Sequence, residues 1–436
     1  MVGTNLDPFS DRYAERTHGM NVSEVRALFA VASRPEVVSL AGGSPFVSAL
    51  PFDAVGSMID ELVRNQGAQA LQYCVGQGDL RLRELICQMM ALEGISASAE
   101  NVVVTVGSQQ ALNIVARVFI DPGDVILAEA PSYVGALSAF MASQADIVHV
   151  AMDDDGLIPA ALAEAITAVR ASGRTIKFLY TIPNFHNPGG VTLAEHRRDE
   201  ILQICRDAGV LVLEDNPYGL LGFDSEPSRA LRARDEDNVI YLGSFSKTFA
   251  SGLRVGWVLA PHAIREKLVL ISEAEILCPP TFSQFIVAEY LTTQPWQQQL
   301  KVFRELYRER RDAMLDALGD MFPAGCTWTV PSGGFYVWVT VPEGLDTKAM
   351  QPLAVSERVA YVPGIGFYAD GNGRRNMRLS YCLPPPERIR EGVRRLAGVL
   401  EQQLELVETF GPSAFQATSP GDGPRSWISG PSADQV

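Results

Sequence analysis

Apolar residues follow two alternating patterns between residues 102 and 277. Short, almost continuous runs of β-branched and aliphatic residues alternate with longer segments in which apolar residues recur at helical spacing. Strands that are apolar on both faces are typical of a parallel sheet that helices cover on both sides. We therefore predict an α/β fold with a large, mostly parallel sheet. Its seven predicted strands lie within residues 102–106, 125–129, 146–152, 176–183, 210–215, 239–246 and 254–261.

The pattern changes after Leu277, where a long amphipathic stretch runs from Trp296 to Phe322. Three apolar runs and a final amphipathic helix follow it, which predicts a smaller α+β domain. From Gly411 the chain is rich in Gly, Ser and Pro without periodicity, and we expect it to be disordered. The three runs lie near residues 333–341, 359–364 and 377–382, and the helix is predicted from Pro386 to about Val407.

The composition excludes several classes of protein. The chain has 436 residues, of which 47% are hydrophobic, so it can bury a substantial core. Its 36 Lys and Arg against 51 Asp and Glu give a net charge of −15. This charge argues against a nucleic-acid partner, because such proteins present a basic face to phosphates. No apolar stretch is long enough for a transmembrane helix, so we expect no membrane partner.

The cysteines and the N-terminus bear on the compartment. The six cysteines are scattered, with no Cys-x-x-Cys and no histidine at ligand spacing. This spacing argues against a zinc site and a disulfide scaffold. The first twenty residues lack the basic segment and apolar run of a secretory signal. We therefore expect reduced thiols, no metal site and a cytoplasmic protein.

Lys247 directly follows a predicted strand, inside the Ser-rich turn Gly-Ser-Phe-Ser-Lys-Thr. A lysine in this place would bury its stem, and burial favours the neutral amine that Schiff-base chemistry requires. Ser244 and Ser246 offer hydroxyls and Arg254 offers a cation, a set that suits a phosphate group. From these residues alone, a capping turn with a surface lysine is an equally good interpretation.

Two further motifs lie just beyond predicted strands. Asp215 ends the run Val-Leu-Glu-Asp, with Tyr218 three residues later. Ligands of open parallel sheets bind at the carboxyl ends of strands, although Asp215 also suits a helix N-cap. Asn187, in Asn-Phe-His-Asn-Pro-Gly-Gly, favours a turn, and its amide could reach a phenolic oxygen.

A fourth motif joins a strand to a helix through small residues. Gly107, Ser108 and Gln109 open the predicted helix after residues 102–106. The first N–H groups of a helix have no partner within it, so this N-terminus could bind an anion.

Together these motifs supply a phosphate site, an amine, a carboxylate and an amide for a phenolic oxygen, which are the partners of pyridoxal phosphate. From about residue 20 to 407 the sequence resembles the fold-type I pyridoxal-phosphate enzymes, and among them the class I/II aminotransferases. The resemblance rests on the order of its motifs along the chain. These are Tyr133, Asn187-Pro-Gly, Asp215-x-x-Tyr218, Ser244-x-Ser246-Lys247, Arg254 and Arg378.

The resemblance implies a role for each cofactor-binding residue. Lys247 would hold pyridoxal 5′-phosphate as a Schiff base and then move a proton, and Asp215 would pair with the ring nitrogen. Asn187 and Tyr218 would hydrogen-bond the ring oxygen, and Tyr133 would stack on the ring. The phosphate would be held by Gly107, Ser108, Gln109, Ser244, Ser246 and Arg254.

The same resemblance implies the substrate side of the site. Arg378 would bind the substrate α-carboxylate through a bidentate fork. Tyr73 matches a tyrosine that reaches the neighbouring subunit's site, which implies a homodimer. The sequence is most similar to the 2-aminoadipate and kynurenine-type branch, in which Ser23 and Arg26 lie on a helix that closes over substrate. There Arg26 would bind a side-chain carboxylate and Gly43 would contact substrate through its backbone; the alternative for Arg26 is a solvated helix face.

Two segments depart from the family pattern. Asn187-Pro-Gly-Gly stands where the family usually has Asn-Pro-Thr-Gly, and we expect the turn to survive because Gly189 permits more conformations than Thr. The loop from Gly43 to Pro51 also lacks the usual proline-rich form. Because that loop borders the substrate side chain, the identity of the substrate stays open.

The expected activity is transfer of an amino group from an L-amino acid, aromatic, aliphatic or 2-aminoadipate-like, to a 2-oxo acid such as 2-oxoglutarate. A lyase, decarboxylase or synthase on the same scaffold is an alternative, because the cofactor motifs are shared. A transcription regulator with an aminotransferase-like domain is disfavoured, since the resemblance begins near residue 20 and leaves no room for a helix-turn-helix. The expected domains are an N-terminal helix and arm joining the small domain (1–50), a large cofactor-binding domain (51–285), a small domain (286–410) and a tail (411–436).

Overall fold

The structure, a computed structural model, describes residues 9–17, 28, 34–224 and 226–411. Two 3-10 turns, Ser10–Arg12 and Glu15–Thr17, precede the short strand β1, Val38–Ser39. The predicted N-terminal helix with Ser23 and Arg26 lies outside the described residues, as does the predicted tail beyond Gly411.

The large sheet contains all seven predicted strands and gains an eighth, two-residue strand at one edge. Its strands are β2 (Val102–Thr105), β3 (Val125–Ala130), β4 (Asp146–Asp153), β5 (Gly156–Leu157), β6 (Ile176–Thr181), β7 (Leu211–Asp215), β8 (Val239–Ser244) and β9 (Gly256–Leu259). They lie in the order β2-β9-β8-β7-β6-β3-β4-β5. The central pairs are parallel, β9 runs antiparallel to both β2 and β8, and β5 runs antiparallel to β4.

Helices cover both faces of this sheet, as the doubly apolar strands predict. Ile126 and Ala128 of β3 pack into one buried cluster, and the alternate residues Val125 and Leu127 pack into another on the opposite face. Burial on both sides explains why these strands carry no polar alternation. The helices of this part are α1 (Phe52–Ala70), α2 (Leu80–Met90), α3 (Gly107–Phe119), α4 (Val134–Ala142), α5 (Pro159–Ala171), α6 (Glu195–Asp207), α7 (His262–Ile276) and α8 (Thr281–Thr293).

The C-terminal part forms a smaller, antiparallel sheet with two long helices beside it. Its elements are α9 (Trp296–Met321), β10 (Thr327–Trp328), β11 (Tyr336–Thr340), α10 (Gln351–Ser356), β12 (Val359–Ala360), β13 (Val362–Pro363), β14 (Asn376–Ser380) and α11 (Pro386–Phe410). The four strands of the sheet lie in the order β10-β11-β14-β13. The helices α9 and α11 pack against each other beside it. Val38 of β1 pairs with Val359 of β12, so the segment before α1 joins this part of the fold.

The topology brings several strand ends to one edge of the large sheet. Strands β3, β6, β7 and β8 are parallel, and β2 points the same way because both it and β8 oppose β9. Ligands bind at the carboxyl edge of such sheets. Every strand that precedes a predicted cofactor-binding motif therefore ends at this edge. In the described part of the chain, no helix is long and apolar enough to cross a membrane.

Candidate active site

A cavity of about 440 Å³ lies at the carboxyl edge of the large sheet, beside the smaller sheet. It is lined by residues from both parts of the fold. Eleven of the residues predicted from sequence are brought together here, namely Gly43, Ser108, Gln109, Tyr133, Asn187, Asp215, Tyr218, Ser244, Ser246, Lys247 and Arg378.

Groups that suit an anion meet at one end of the cavity, which we call the anion site. Helix α3 begins at Gly107, and its first N–H groups have no partner within the helix. Gly107 has φ of +73°, and a side chain there would collide with the Arg254 guanidinium, whose Nη2 lies 2.4 Å from an ideal Cβ position. Arg254 Nη1 donates to Ser246 Oγ at 3.3 Å, and Ser246 N donates to Ser244 Oγ at 3.1 Å. A cation, two hydroxyls and a helix N-terminus thus converge.

The Lys247 amine lies inside the cavity, which contradicts the alternative of a surface lysine. It comes three residues after the end of β8, and its Nζ donates to the Gly43 carbonyl at 2.7 Å. Burial, with the nearby Arg378 and Arg254 guanidinium groups, lowers the pKa of Lys247 to about 8. The neutral amine that a nucleophile requires is therefore far more populated near neutral pH than in a solvated lysine.

Asp215 ends β7 with its carboxylate buried, and no helix starts there to be capped. Its Oδ2 accepts a hydrogen bond from the Tyr180 hydroxyl at 2.9 Å, whereas its Oδ1 has no partner among the described residues. Burial raises the pKa of Asp215 to about 7, and the Tyr180 bond opposes the shift. A cationic nitrogen placed against Oδ1 would satisfy this atom and favour the carboxylate.

Three further residues line the same cavity as Asp215. Asn187 follows β6, and its side-chain Oδ1 accepts from Arg378 Nη1 at 2.9 Å, which leaves its amide N–H groups available to the cavity. The Tyr218 hydroxyl is buried and donates to the Tyr336 hydroxyl at 3.5 Å. Burial raises the pKa of Tyr133 to about 12, so its phenol stays protonated.

Arg378 lies on β14, between β11 and β13, and only 2% of it is exposed. This rules out a surface ion pair on an edge strand. Its guanidinium lies 4.2 Å from the ring centre of Tyr336 and 5.1 Å from that of Phe367. Nη2 donates to the Ala41 carbonyl at 2.8 Å, and Nε has no partner among the described residues. A buried, unopposed cation of this kind suits a substrate carboxylate.

The remaining predicted residues lie elsewhere. Tyr73 is 77% exposed and does not line the cavity of its own chain. Ser23 and Arg26 are outside the described residues.

Two residues of the site were not predicted from the sequence. Tyr180 donates a hydrogen bond to Asp215, and the ring of Tyr336 packs on Arg378. Both tyrosines occur within ordinary apolar strand runs, so no local signal distinguishes them. Among the described residues, no cluster of three His, Cys, Asp or Glu could hold a metal ion.

Comparison with known proteins decides the family. The model of the family described as "Aminotransferase class I and II" matches residues 37–396. The chain belongs to this family. The predictions of an aminotransferase with the fold-type I architecture and of pyridoxal phosphate as its cofactor are confirmed.

Three relatives show where this aminotransferase lies within the family. Aromatic-amino-acid aminotransferase 1 of Thermococcus litoralis is 41% identical over 90% of this chain and 95% of the relative. The kynurenine aminotransferase of Pyrococcus horikoshii, solved with PMP, has a TM-score of 0.87 and 35% identity, covering 92% of this chain and 99% of that one. The alpha-aminoadipate aminotransferase LysN of Thermus thermophilus, solved with N-(5′-phosphopyridoxyl)-L-leucine, has a TM-score of 0.84 and 35% identity, covering 92% and 100%.

The geometry of this aminotransferase fits a phosphorylated pyridine ring. The orphaned Asp215 Oδ1 can receive a ring N–H, and the anion site at Gly107 and Arg254 can receive a phosphate. Lys247 enters the space between them. Asp215 Oδ1 and Arg378 Nε, which lack partners among the described residues, are therefore atoms that such a cofactor and its substrate would satisfy.

Proposed function

We propose that this aminotransferase moves the amino group of an aromatic, aliphatic or 2-aminoadipate-like L-amino acid to a 2-oxo acid such as 2-oxoglutarate. Pyridoxal phosphate is bound covalently through Lys247. The observation that carries the proposal is the Lys247 amine in one cavity with Asp215, Arg378 and the anion site. The relatives described as aromatic, kynurenine and alpha-aminoadipate aminotransferases support the substrate range.

The chain supplies a partner for every polar part of the cofactor, which as an electron-withdrawing ring stabilises negative charge at the substrate α-carbon. Asp215 Oδ1 would hold the ring nitrogen, and the amide of Asn187 and the hydroxyl of Tyr218 would bind the ring oxygen. Tyr133 would pack on the ring. The phosphate would be held by Gly107, Ser108, Gln109, Ser244, Ser246 and Arg254.

Lys247 is the group that moves protons. With a pKa of about 8, its amine can take a proton from the substrate α-carbon and release it again near neutral pH. The Gly43 carbonyl, 2.7 Å from Nζ, holds the amine on the cavity side. Tyr133 stays protonated, since its pKa is about 12, and so does not compete as a base.

Arg378 fixes the substrate carboxylate. Its plane is held between the rings of Tyr336 and Phe367, and a carboxylate bound in fork geometry satisfies its unpaired Nε. Gly43 lies next to the same space and contributes its backbone. The α-carbon is thereby placed within reach of Lys247 whatever the side chain of the amino acid.

The side-chain pocket combines apolar and polar features. Val134 and Ile182 line the cavity, which favours aromatic and aliphatic substrates. The loop after Gly43 is anchored to α9, because Phe46 N donates to the Tyr307 hydroxyl at 2.9 Å. We assign Arg26, helped by Ser23, to the carboxylate of acidic side chains.

The test is to incubate the enzyme with an amino acid and 2-oxoglutarate and to measure glutamate. Transamination gives glutamate and the matching 2-oxo acid in equal amounts, and Lys247→Ala abolishes both. Ammonia, carbon dioxide or an eliminated side chain without glutamate would instead identify a lyase or decarboxylase. Lys348→Ala, at an exposed lysine of the small part, is the matched control and should leave glutamate formation unchanged.

We also propose that the active unit is a homodimer in which Tyr73 enters the partner's site. Tyr73 stands in a patch of exposed apolar side chains formed with Leu71, Val75 and Leu277. The Cys74 thiol lies 3.5 Å from the Pro279 carbonyl, which brings the segment near Leu277. The Gln77 carbonyl accepts from Val104 N, so the same segment runs beside β2 and the anion site. Large exposed apolar patches are typical of subunit interfaces.

Mixing two inactive variants tests the shared site. Tyr73→Ala and Lys247→Ala subunits should recover activity after exchange, because a mixed dimer contains one site with both residues intact. Subunits that exchange without recovering activity would contradict the entry of Tyr73 into the partner's site.

We also propose that this enzyme is cytoplasmic. Its six free thiols support this compartment.

A further inference from the structure

The turn that carries Asn187 is held from inside by the residue before it. The side chain of His186 is completely buried. Its backbone N donates to the Val191 carbonyl at 2.8 Å, and its carbonyl accepts from Gly190 N at 2.6 Å. Both backbone groups of His186 are therefore fixed across the turn from residue 186 to residue 191.

The imidazole of His186 makes its own contacts across the same turn. Nδ1 accepts a hydrogen bond from Gly189 N at 3.1 Å. Because Nδ1 accepts, the proton of the neutral ring lies on Nε2, which is 3.1 Å from Glu129 Oε2. This second contact is too oblique to be a well-aligned hydrogen bond. Glu129 is held in turn by Thr181 Oγ1 at 2.7 Å and Ile182 N at 2.8 Å.

Gly189 lies against the imidazole ring of His186. An ideal Cβ at Gly189 would lie 3.0 Å from His186 Nδ1, closer than side-chain carbons normally approach. The φ of Gly189 is not in the left-handed region, so its backbone conformation does not require glycine. The absence of a side chain at 189 therefore makes room for the imidazole at 186.

We propose that His186 is a positioning residue, which uses Gly189 and Glu129 to fix the orientation of Asn187. Asn187 Oδ1 binds Arg378, so the amide N–H groups of Asn187 have one direction left, towards the cofactor ring oxygen. A shift of the turn would therefore disturb two hydrogen bonds of Asn187 together, the one to the ring oxygen and the one from Arg378. The inference rests on the proposed function, in which Asn187 binds the cofactor.

The experiment measures the absorbance of the lysine-linked cofactor as a function of pH. A donor to the ring oxygen draws charge from it and so weakens its hold on the proton of the neighbouring linked nitrogen. Asn187→Ala should therefore raise the midpoint of the pH-dependent absorbance change. His186→Ala should raise it in the same direction, by about 0.5 pH unit or more. In the Asn187→Ala protein, adding His186→Ala should give no further shift, because the two act through one contact.

Two more variants separate positioning from loss of folding. His186→Gln keeps one acceptor for Gly189 N and one donor for Glu129, and it should restore the midpoint and the KM for amino acid. Gly189→Ala should reproduce the shift of His186→Ala, whereas combining it with His186→Gln should reduce the shift, since a flexible side chain can yield. His196→Ala, at an exposed histidine of α6, is the matched control and should leave the midpoint unchanged.

The outcomes distinguish the inference from the function on which it rests. A wild-type protein that never links the cofactor to Lys247 would overturn the proposed function. A wild-type protein that does so, with a folded His186→Ala variant of unchanged midpoint and KM, would overturn the positioning role alone. Additive shifts in the Asn187 and His186 double variant would also overturn it, because they would show that His186 acts by another route.

Discussion

The two halves of the cavity are built in different ways. Around the cofactor-binding motifs, most functional side chains follow the carboxyl end of a buried strand, whereas Arg254 precedes β9, and all of these strands belong to one sheet. On the substrate side, Gly43 comes from a loop, Arg378 comes from the smaller sheet, and Tyr73 is exposed on the surface of this chain. A single sheet therefore defines the first half. The second depends on how separate parts of the fold meet.

Among the substitutions that test the cofactor half, replacement of Asp215 should have the largest effect on activity. Asp215→Ala should lower kcat by about 100- to 1000-fold, because the ring nitrogen loses the carboxylate that keeps it charged. Tyr180→Phe, which removes only the hydrogen bond to Oδ2, is the graded comparison and should cost far less. Steady-state kinetics at saturating cofactor will measure both. An Asp215→Ala enzyme within tenfold of wild type would show that this carboxylate is not an electronic partner of the ring.

Arg378 tests the substrate half. Arg378→Lys keeps the positive charge but loses the planar fork, so KM should rise about 10- to 100-fold for all amino acids alike. The lysine-linked cofactor should still form, because Lys247, Asp215 and the phosphate-binding residues are unchanged. Tyr336→Phe keeps the ring that packs on the guanidinium and serves as the control. A change confined to one class of side chain would contradict carboxylate binding by Arg378.

The same division explains how far the sequence alone could go. Strand runs with apolar residues on both faces predicted the large sheet, and the motifs at Asp215, Asn187 and Lys247 predicted one cavity, since parallel strands end at one edge. Tyr180 and Tyr336 could not be predicted, because a buried tyrosine in a strand has the same local pattern whether or not it supports a functional residue. Tyr73 shows the other limit, since the role we propose for it depends on a second chain.

The titration of Lys247 gives a smaller but sharper test of the cofactor half. Below its pKa of about 8, the neutral fraction of the amine falls about tenfold per pH unit. The rate at which the cofactor-free protein captures pyridoxal phosphate should therefore rise with pH and level off above pH 8. A free lysine derivative blocked at its α-amine, whose ε-amine is fully solvated, is the control and should keep accelerating towards pH 10. A protein that follows the free lysine would contradict burial of the amine.

Replacement of Arg26 tests how the substrate half distinguishes side chains, and it should have the smallest effect. Arg26→Ala should raise KM for 2-aminoadipate about tenfold more than for leucine or phenylalanine, because only the acidic side chain offers a charge to the guanidinium. Arg16→Ala, at another N-terminal arginine, is the matched control. Equal changes for acidic and apolar substrates would assign Arg26 to the helix and not to the side-chain carboxylate.

The attachment of the cofactor to Lys247, at the carboxyl edge of the large sheet, can be measured directly. Borohydride reduction of the protein loaded with pyridoxal phosphate is followed by digestion and mass spectrometry of the peptides. We expect one phosphopyridoxyl group per chain, on Lys247, and its loss after incubation with an amino acid before reduction. A label on any other lysine, or a reduced protein without label, would contradict it.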